Sequence, residues 1–217
     1  MAVLFGLFGS AEKLEESYRE YLVGDFTLGE LPDKPNFVFN AAHIETGRNC
    51  TLSKAGLHTW RLGDIPIPDI SLAKAVAASS ACPPYFPAVI LDLNPKDFVK
   101  GEEYVDLFHR DDLKRQMSLT DGGVYDNLGV HAVRDCDTIL VSDGSAPLQA
   151  KHSTGLTKQF QHRVLRPMEI AVEQTRAIRR NQLVEAYQSH AKEGCLWYAG
   201  QRQLFWPLCA NYSGRSG

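Results

Sequence analysis

Apolar residues change their period several times along this chain, and each change marks an element. Ser10-Ala-Glu-Lys13 reads as a capped start, with Glu12 in the first turn, for a helix running to about Leu22. The prolines of Leu31-Pro-Asp-Lys-Pro35 make a turn that leads into a predicted strand over Asn36 to Ala42. Leu57-His-Thr-Trp-Arg-Leu62 alternates apolar with polar and is predicted as the partner of that strand. Ser71 suits the N-cap of a helix over Leu72 to Ser79, and Pro83-Pro84 stops it. An extended apolar piece follows over Pro84 to Leu93. Cys136-Asp-Thr-Ile-Leu-Val-Ser142 reads as a buried, parallel-type strand ending at Asp143-Gly144. The longest helical signal covers residues 163–193, where Leu165, Met168, Val172, Ile178, Leu183 and Tyr187 keep near-helical spacing and Gly194 suits the stop. Strands alternating with helices predict an α/β layered fold.

Composition adds boundaries to this picture. A chain of 217 residues with 44% hydrophobic and 23% charged residues fits one globular domain. The stretch 94–117, with its charged run Asp106 to Arg115, reads as a polar, solvated insertion. A formal net charge of -3 argues against a general nucleic-acid binder. Residues 151–193 carry eight Lys or Arg against four Asp or Glu, with Arg176, Arg179 and Arg180 clustered. That face is read either as a contact for anionic lipid headgroups or as a solvated face with Glu173 and Glu185 as partners. No apolar run approaches the roughly 20 residues of a membrane span. The apolar segment Ala2 to Phe8 has no basic residue before it and is read as packing inward. The five cysteines, Cys50, Cys82, Cys136, Cys195 and Cys209, are odd in number and free of any C-x-x-C pair. They suit reduced thiols in a cytoplasmic protein rather than a disulfide framework or a zinc site.

The chemistry concentrates in Leu119-Thr-Asp121-Gly122-Gly123-Val-Tyr-Asp126-Asn-Leu-Gly129. An aspartate at the end of an apolar approach, followed at once by two glycines, allows other backbone to come close to a carboxylate. Taken by itself the block has two readings: a rigid loop presenting a catalytic side chain, or a tight structural turn. Asp121 is the candidate; Asp126 sits beyond the glycines in turn chemistry. Ser79 and Ser80 sit in a small-residue helical block, and Ser145, although it follows Gly144, lacks a second glycine and has Pro147 two residues on, so none has the Gly-x-Ser-x-Gly setting that exposes a serine hydroxyl. Cys50 or Cys82 would need a histidine base that no spacing nominates, and His131 reads as structural. The seven histidines show no ligand spacing, so no metal site is expected, and no phosphate-binding glycine loop is present.

Three blocks in order, Phe37-Val-Phe-Asn-Ala-Ala-His-Ile-Glu-Thr-Gly47, Leu72-Ala-Lys-Ala-Val-Ala-Ala-Ser-Ser-Ala-Cys-Pro-Pro-Tyr-Phe-Pro-Ala-Val89 and the Asp-Gly-Gly loop, resemble the patatin-like phospholipase family. Arg166 to Leu183 also resembles the Arg-rich helix that follows in many bacterial members. The resemblance implies a three-layer α/β/α sandwich with a largely parallel central sheet, incomplete at its N-terminal side here, over residues 1–217 as a single domain. It implies lipolytic acyl-ester hydrolysis by a Ser-Asp dyad without cofactor, with Asp121 as the base and Gly122 and Gly123 letting its loop close on the serine turn. The Gly-x-Ser-x-Gly elbow of such enzymes is not found in these residues. The chain is therefore expected to supply the aspartate and not the serine. A lipid substrate, peripheral membrane contact through 163–193, and association as a dimer or with a serine-bearing chain follow as expectations. The rival is a non-catalytic lipid-binding or assembly partner.

Overall fold

Ser10 opens the first element in the computed structural model, which describes residues 10–66, 69–101, 105–144, 165–189 and 193–198. The Ser10 hydroxyl accepts the Lys13 N–H at 3.1 Å, capping helix α1 (Ala11–Tyr18), which continues as a π-helical turn over Arg19–Val23. The apolar segment 2–8, Ser145, and the first part of the basic stretch from 151 lie outside the described residues.

The chain divides into two compact units, Met1–Tyr125 and Asp126–Gly217. The first is built on six strands: β1 (Val38–His43), β2 (Arg48–Ser53), β3 (Gly56–Thr59), β4 (Gly63–Pro66), β5 (Val89–Asp92) and β6 (Gln116–Asp121). Their order across the sheet is β4-β3-β2-β1-β6-β5, and every pairing is antiparallel. This corrects the expectation of a largely parallel central sheet; the mixed α/β class stands. The physical reason is in the connections. Lys54-Ala55 joins β2 to β3 and Trp60–Leu62 joins β3 to β4. Links of that length turn a strand back on its neighbour, whereas a parallel return needs a crossover of a dozen residues or so. The strand around Leu57 does not pair with β1, as its alternation alone suggested; β2 intervenes.

Register sorts the side chains of this sheet by face. Ala41, Cys50, Leu52, Leu57, Ile65, Val89, Leu91, Met117 and Leu119 share one face and are buried. Helix α2 (Leu72–Ser80) packs on that face through Ala75, Ala77 and Ala78, all fully buried, and α1 lies against α2. Alanines leave no side-chain bulk, so the helix axis can approach the strands closely. The Ser71 hydroxyl caps α2 by accepting the Lys74 N–H at 3.1 Å. Full burial of each leucine contributes about 1.5–3 kcal/mol. The opposite face carries the partly exposed Asn40, Thr51, His58, Asp64 and Ser118, and beside them the buried row Asn49, Ala42 and Thr120. In 94–117, a short helix α3 (Asp111–Arg115) runs directly into β6, and Lys114 lies 3.6 Å from the centroid of the Phe108 ring.

In the second unit β7 (Thr138–Asp143) pairs in parallel with β8 (Glu193–Tyr198). Helix α5 (Arg166–Gln188) packs Leu183 and Tyr187 on Ile139 and Val141 of β7, and the Tyr187 hydroxyl donates to the Ile139 carbonyl at 2.7 Å. The helix ends at Gln188, and Gly194, read as its stop, lies inside β8. Arg176 is buried: its Nη1 donates to Asp143 Oδ2 at 2.9 Å and its Nη2 to Glu173. This member of the arginine cluster therefore points into the unit and neutralises a strand-end carboxylate.

Candidate functional site

The end of β6 is fixed by α2. Asp121 is the last residue of the strand and pairs with Ala41 of β1. Its N–H donates to the Ala81 carbonyl at 3.1 Å, the Thr120 hydroxyl donates to the same carbonyl at 2.8 Å, and the Gly122 N–H donates to the Ser79 carbonyl at 3.3 Å. The chain leaving the small-residue helix thus substitutes for a neighbouring strand, and three consecutive residues of the loop are tied to it. A carboxylate at such a point has little freedom to move with its backbone.

Gly122 is required by close approach. A Cβ there would stand 2.5 Å from the Asn40 carbonyl oxygen and 2.8 Å from its carbon, so the loop can run under β1 only without a side chain. The Gly123 N–H turns back to donate to Asp121 Oδ1 at 2.7 Å. This is an Asx-type turn, the local chemistry by which Asp followed by small residues reverses a chain. A short helical turn, α4 (Gly123–Asp126), follows.

Burial raises the Asp121 carboxyl above its ordinary value, and the Gly123 N–H opposes that rise in part. Removing solvent from a carboxylate penalises its charged form and makes it a stronger base. Cys82 is the other reactive group at this corner. Its thiol is exposed, but it is held up first by partial burial and then by the negative charge of Asp121. A thiol held protonated is a poor nucleophile. Cys50, fully buried, is pushed up to about 12.

The rival residues fall into structural roles. Ser80 donates its hydroxyl to the Val76 carbonyl at 2.8 Å and lies 2.9 Å from the Tyr18 hydroxyl. Ser79 serves the loop through its carbonyl. In the second unit, Asp126 is buried, accepts the His131 backbone N–H at 2.6 Å and faces Arg179 at 3.6 Å. Among the described residues, no group of three or more His, Cys, Asp or Glu side chains is placed to hold a metal ion.

One arrangement near the loop had no visible signal in the sequence. His43 is 1% exposed and shares a 2.9 Å hydrogen bond between its Nδ1 and Thr46 Oγ1. Its Nε2 stands 2.8 Å from Glu45 Oε2, off the axis a hydrogen bond needs. The same Glu45 oxygen accepts the Ser118 N–H at 3.2 Å, and the Ile44 N–H donates to the Ser118 carbonyl at 2.9 Å. The β1–β2 turn is thereby stitched to β6, three residues before Asp121. Burial holds the His43 imidazole below its ordinary value despite Glu45. Its sequence trace, His-Ile-Glu-Thr-Gly, looks like any polar turn.

A family model described as Patatin-like phospholipase matches residues 3–134, more than half of the chain. That span takes in the whole six-stranded sheet, α2 and the Asp-Gly-Gly loop. No curated protein matches the chain.

Proposed function

Since the chain belongs to the patatin-like phospholipase family, whose members are lipid acyl hydrolases, we propose that it takes part in acyl-ester hydrolysis by a Ser-Asp dyad, with Asp121 as the general base. The nucleophilic serine comes from polypeptide other than these 217 residues, joined to or associated with this chain. The serine hydroxyl attacks the ester carbonyl carbon while its proton passes to the Asp121 carboxylate. The tetrahedral intermediate expels the alcohol, which takes that proton from Asp121. A water then gives a proton to Asp121 as its oxygen attacks the acyl-serine, and collapse releases the fatty acid and returns the proton to serine.

The observation that carries this reading is the setting of Asp121. It sits at a strand end, its loop is tied by three hydrogen bonds to α2, and it is desolvated enough to be a better base than a surface aspartate. An ordinary aspartate, with a pKa near 4, is weak for the task. Gly122 supports the reading by allowing the loop to lie close against β1. Substrate is an acyl lipid, held at or near a membrane surface.

The test is hydrolysis of a short-chain acyl ester by the chain together with its serine-bearing polypeptide. Asp121→Asn keeps an acceptor for the Gly123 N–H but cannot take a proton, and should lower kcat by about a hundredfold or more. Activity unchanged by Asp121→Asn, with Asp126→Asn abolishing it, would overturn the assignment. Hydrolysis absent from the combined system, with lipid binding intact, would place the chain among non-catalytic lipid-binding partners.

A further inference from the structure

Large apolar side chains stand exposed around the corner that holds Asp121. Tyr21 is 79% exposed and Leu22 68%, both on the π-helical turn that continues α1. That turn packs against α2, and the Tyr18 hydroxyl just before it lies 2.9 Å from Ser80 Oγ at the end of α2. Tyr85, 57% exposed, lies in the next turn, where its N–H donates to the Cys82 carbonyl at 3.0 Å. Cys82 is near enough to Asp121 for that carboxylate to act on its thiol. Val124 is exposed too and follows Gly123, whose N–H holds the Asp121 carboxylate. All these residues belong to the first unit.

Exposed apolar side chains gathered beside a site mark a surface that meets another apolar phase. Charge selects the phase. Residues 75–91 hold no charged side chain. Beside Tyr21 and Leu22 stand the exposed Arg19, Glu20 and Asp25, with Arg19 Nε 4.0 Å from Asp25 Oδ1. One cation against two carboxylates gives this edge a slight negative charge, which disfavours anionic headgroups. Tyrosine, with an apolar ring and a polar tip, suits the boundary between acyl chains and water. In α5, by contrast, Arg166, Arg176 and Arg179 each face a carboxylate, so much of the positive charge there is already answered.

We propose that Tyr21, Leu22, Tyr85 and Val124 seat the chain on a zwitterionic lipid surface, with the Asp121 corner toward the lipid. The proposal rests on the acyl-lipid reading of that corner. The test is co-sedimentation of the full chain with phosphatidylcholine vesicles, and in parallel with phosphatidylserine-rich vesicles. Saturable binding to phosphatidylcholine is expected, and weaker binding to the anionic vesicles. Tyr21→Ser and Tyr85→Ser should each lower the partition about tenfold, the loss of one apolar anchor. Both side chains are exposed, so neither change threatens the fold. Ile178→Ser, at an exposed apolar position of the second unit, should bind as the parent does. Binding needs no turnover, so a chain that sits on vesicles but takes no part in hydrolysis would defeat the dyad and spare this proposal. No binding to phosphatidylcholine, tighter binding to the anionic vesicles, unchanged partition in either tyrosine variant, or an equal loss in Ile178→Ser would overturn it. So would a parent dimer in sedimentation velocity that Tyr21→Ser converts to monomer, which would assign the face to a second copy.

Discussion

At the residue scale, the site rests on one missing side chain and one desolvated carboxylate. The Cβ of Gly122→Ala would meet backbone atoms of Asn40, which cannot swing aside as a flexible side chain would. The variant should lose about 1–3 kcal/mol of stability, the usual cost of overpacking, read from its chemical-denaturation midpoint. A variant as stable as the parent would mean that β1 and the loop are not in contact. Asp121 and Gly122 were legible in the sequence because an Asx turn and a close approach are written in adjacent residues. Asn49 and His43 were not legible, because their partners stand across strands and depend on register. Nothing in Arg48-Asn49-Cys50 announces a buried amide.

At the element scale, helix starts were readable and strand partners were not. Ser10 and Ser71 cap their helices as their positions predicted, since a cap is a contact within four residues. β2 gives little signal because its alternation, Asn49-Cys50-Thr51-Leu52-Ser53, holds only two apolar residues, and without it the alternation of β3 points to the wrong neighbour. The expectation of a largely parallel sheet comes with the family resemblance; β7, read separately as a parallel-type strand, does pair in parallel, with β8 in the second unit. The β1–β2 turn offers a pH prediction. His43 has a lower proton affinity folded than unfolded, so protonation favours the unfolded chain. Its contribution to stability is therefore present above the unfolded value of about 6.5 and falls away as pH drops below it. Glu45 acts in a separate, lower window: burial raises its pKa but is outweighed chiefly by the Ser118 hydrogen bonds, so its stabilisation is lost as pH falls below the ordinary carboxylate range. Thermal midpoints of the parent should fall between pH 7.5 and 5.5 more steeply than those of His43→Gln. Parallel slopes would show that His43 does not titrate on unfolding.

At the scale of the whole molecule, the two units have different internal supports. The first is a one-faced sheet with its apolar side under α2. The second hangs on the parallel β7–β8 pair, α5 and the buried Asp143–Arg176–Glu173 group. Arg176→Met removes the cation and leaves Asp143 charged and buried, which should cost about 3–5 kcal/mol. Amide exchange should speed up across β7 and α5 and leave β1 and β6 unchanged; uniform acceleration would contradict that localisation. Family membership and the α/β class were readable from three blocks in order, while the division at Tyr125 and Asp126 was not, because the glycines around it read as parts of the Asp-Gly-Gly loop.

The central claim is that these residues hold the base of a dyad and not its nucleophile. Intact mass of the folded chain after a fluorophosphonate probe tests it most directly. The account predicts an unmodified mass, with Ser79 and Ser80 unreacted. A stoichiometric adduct, mapped to any serine within the 217 residues, would contradict it and put the nucleophile inside this chain.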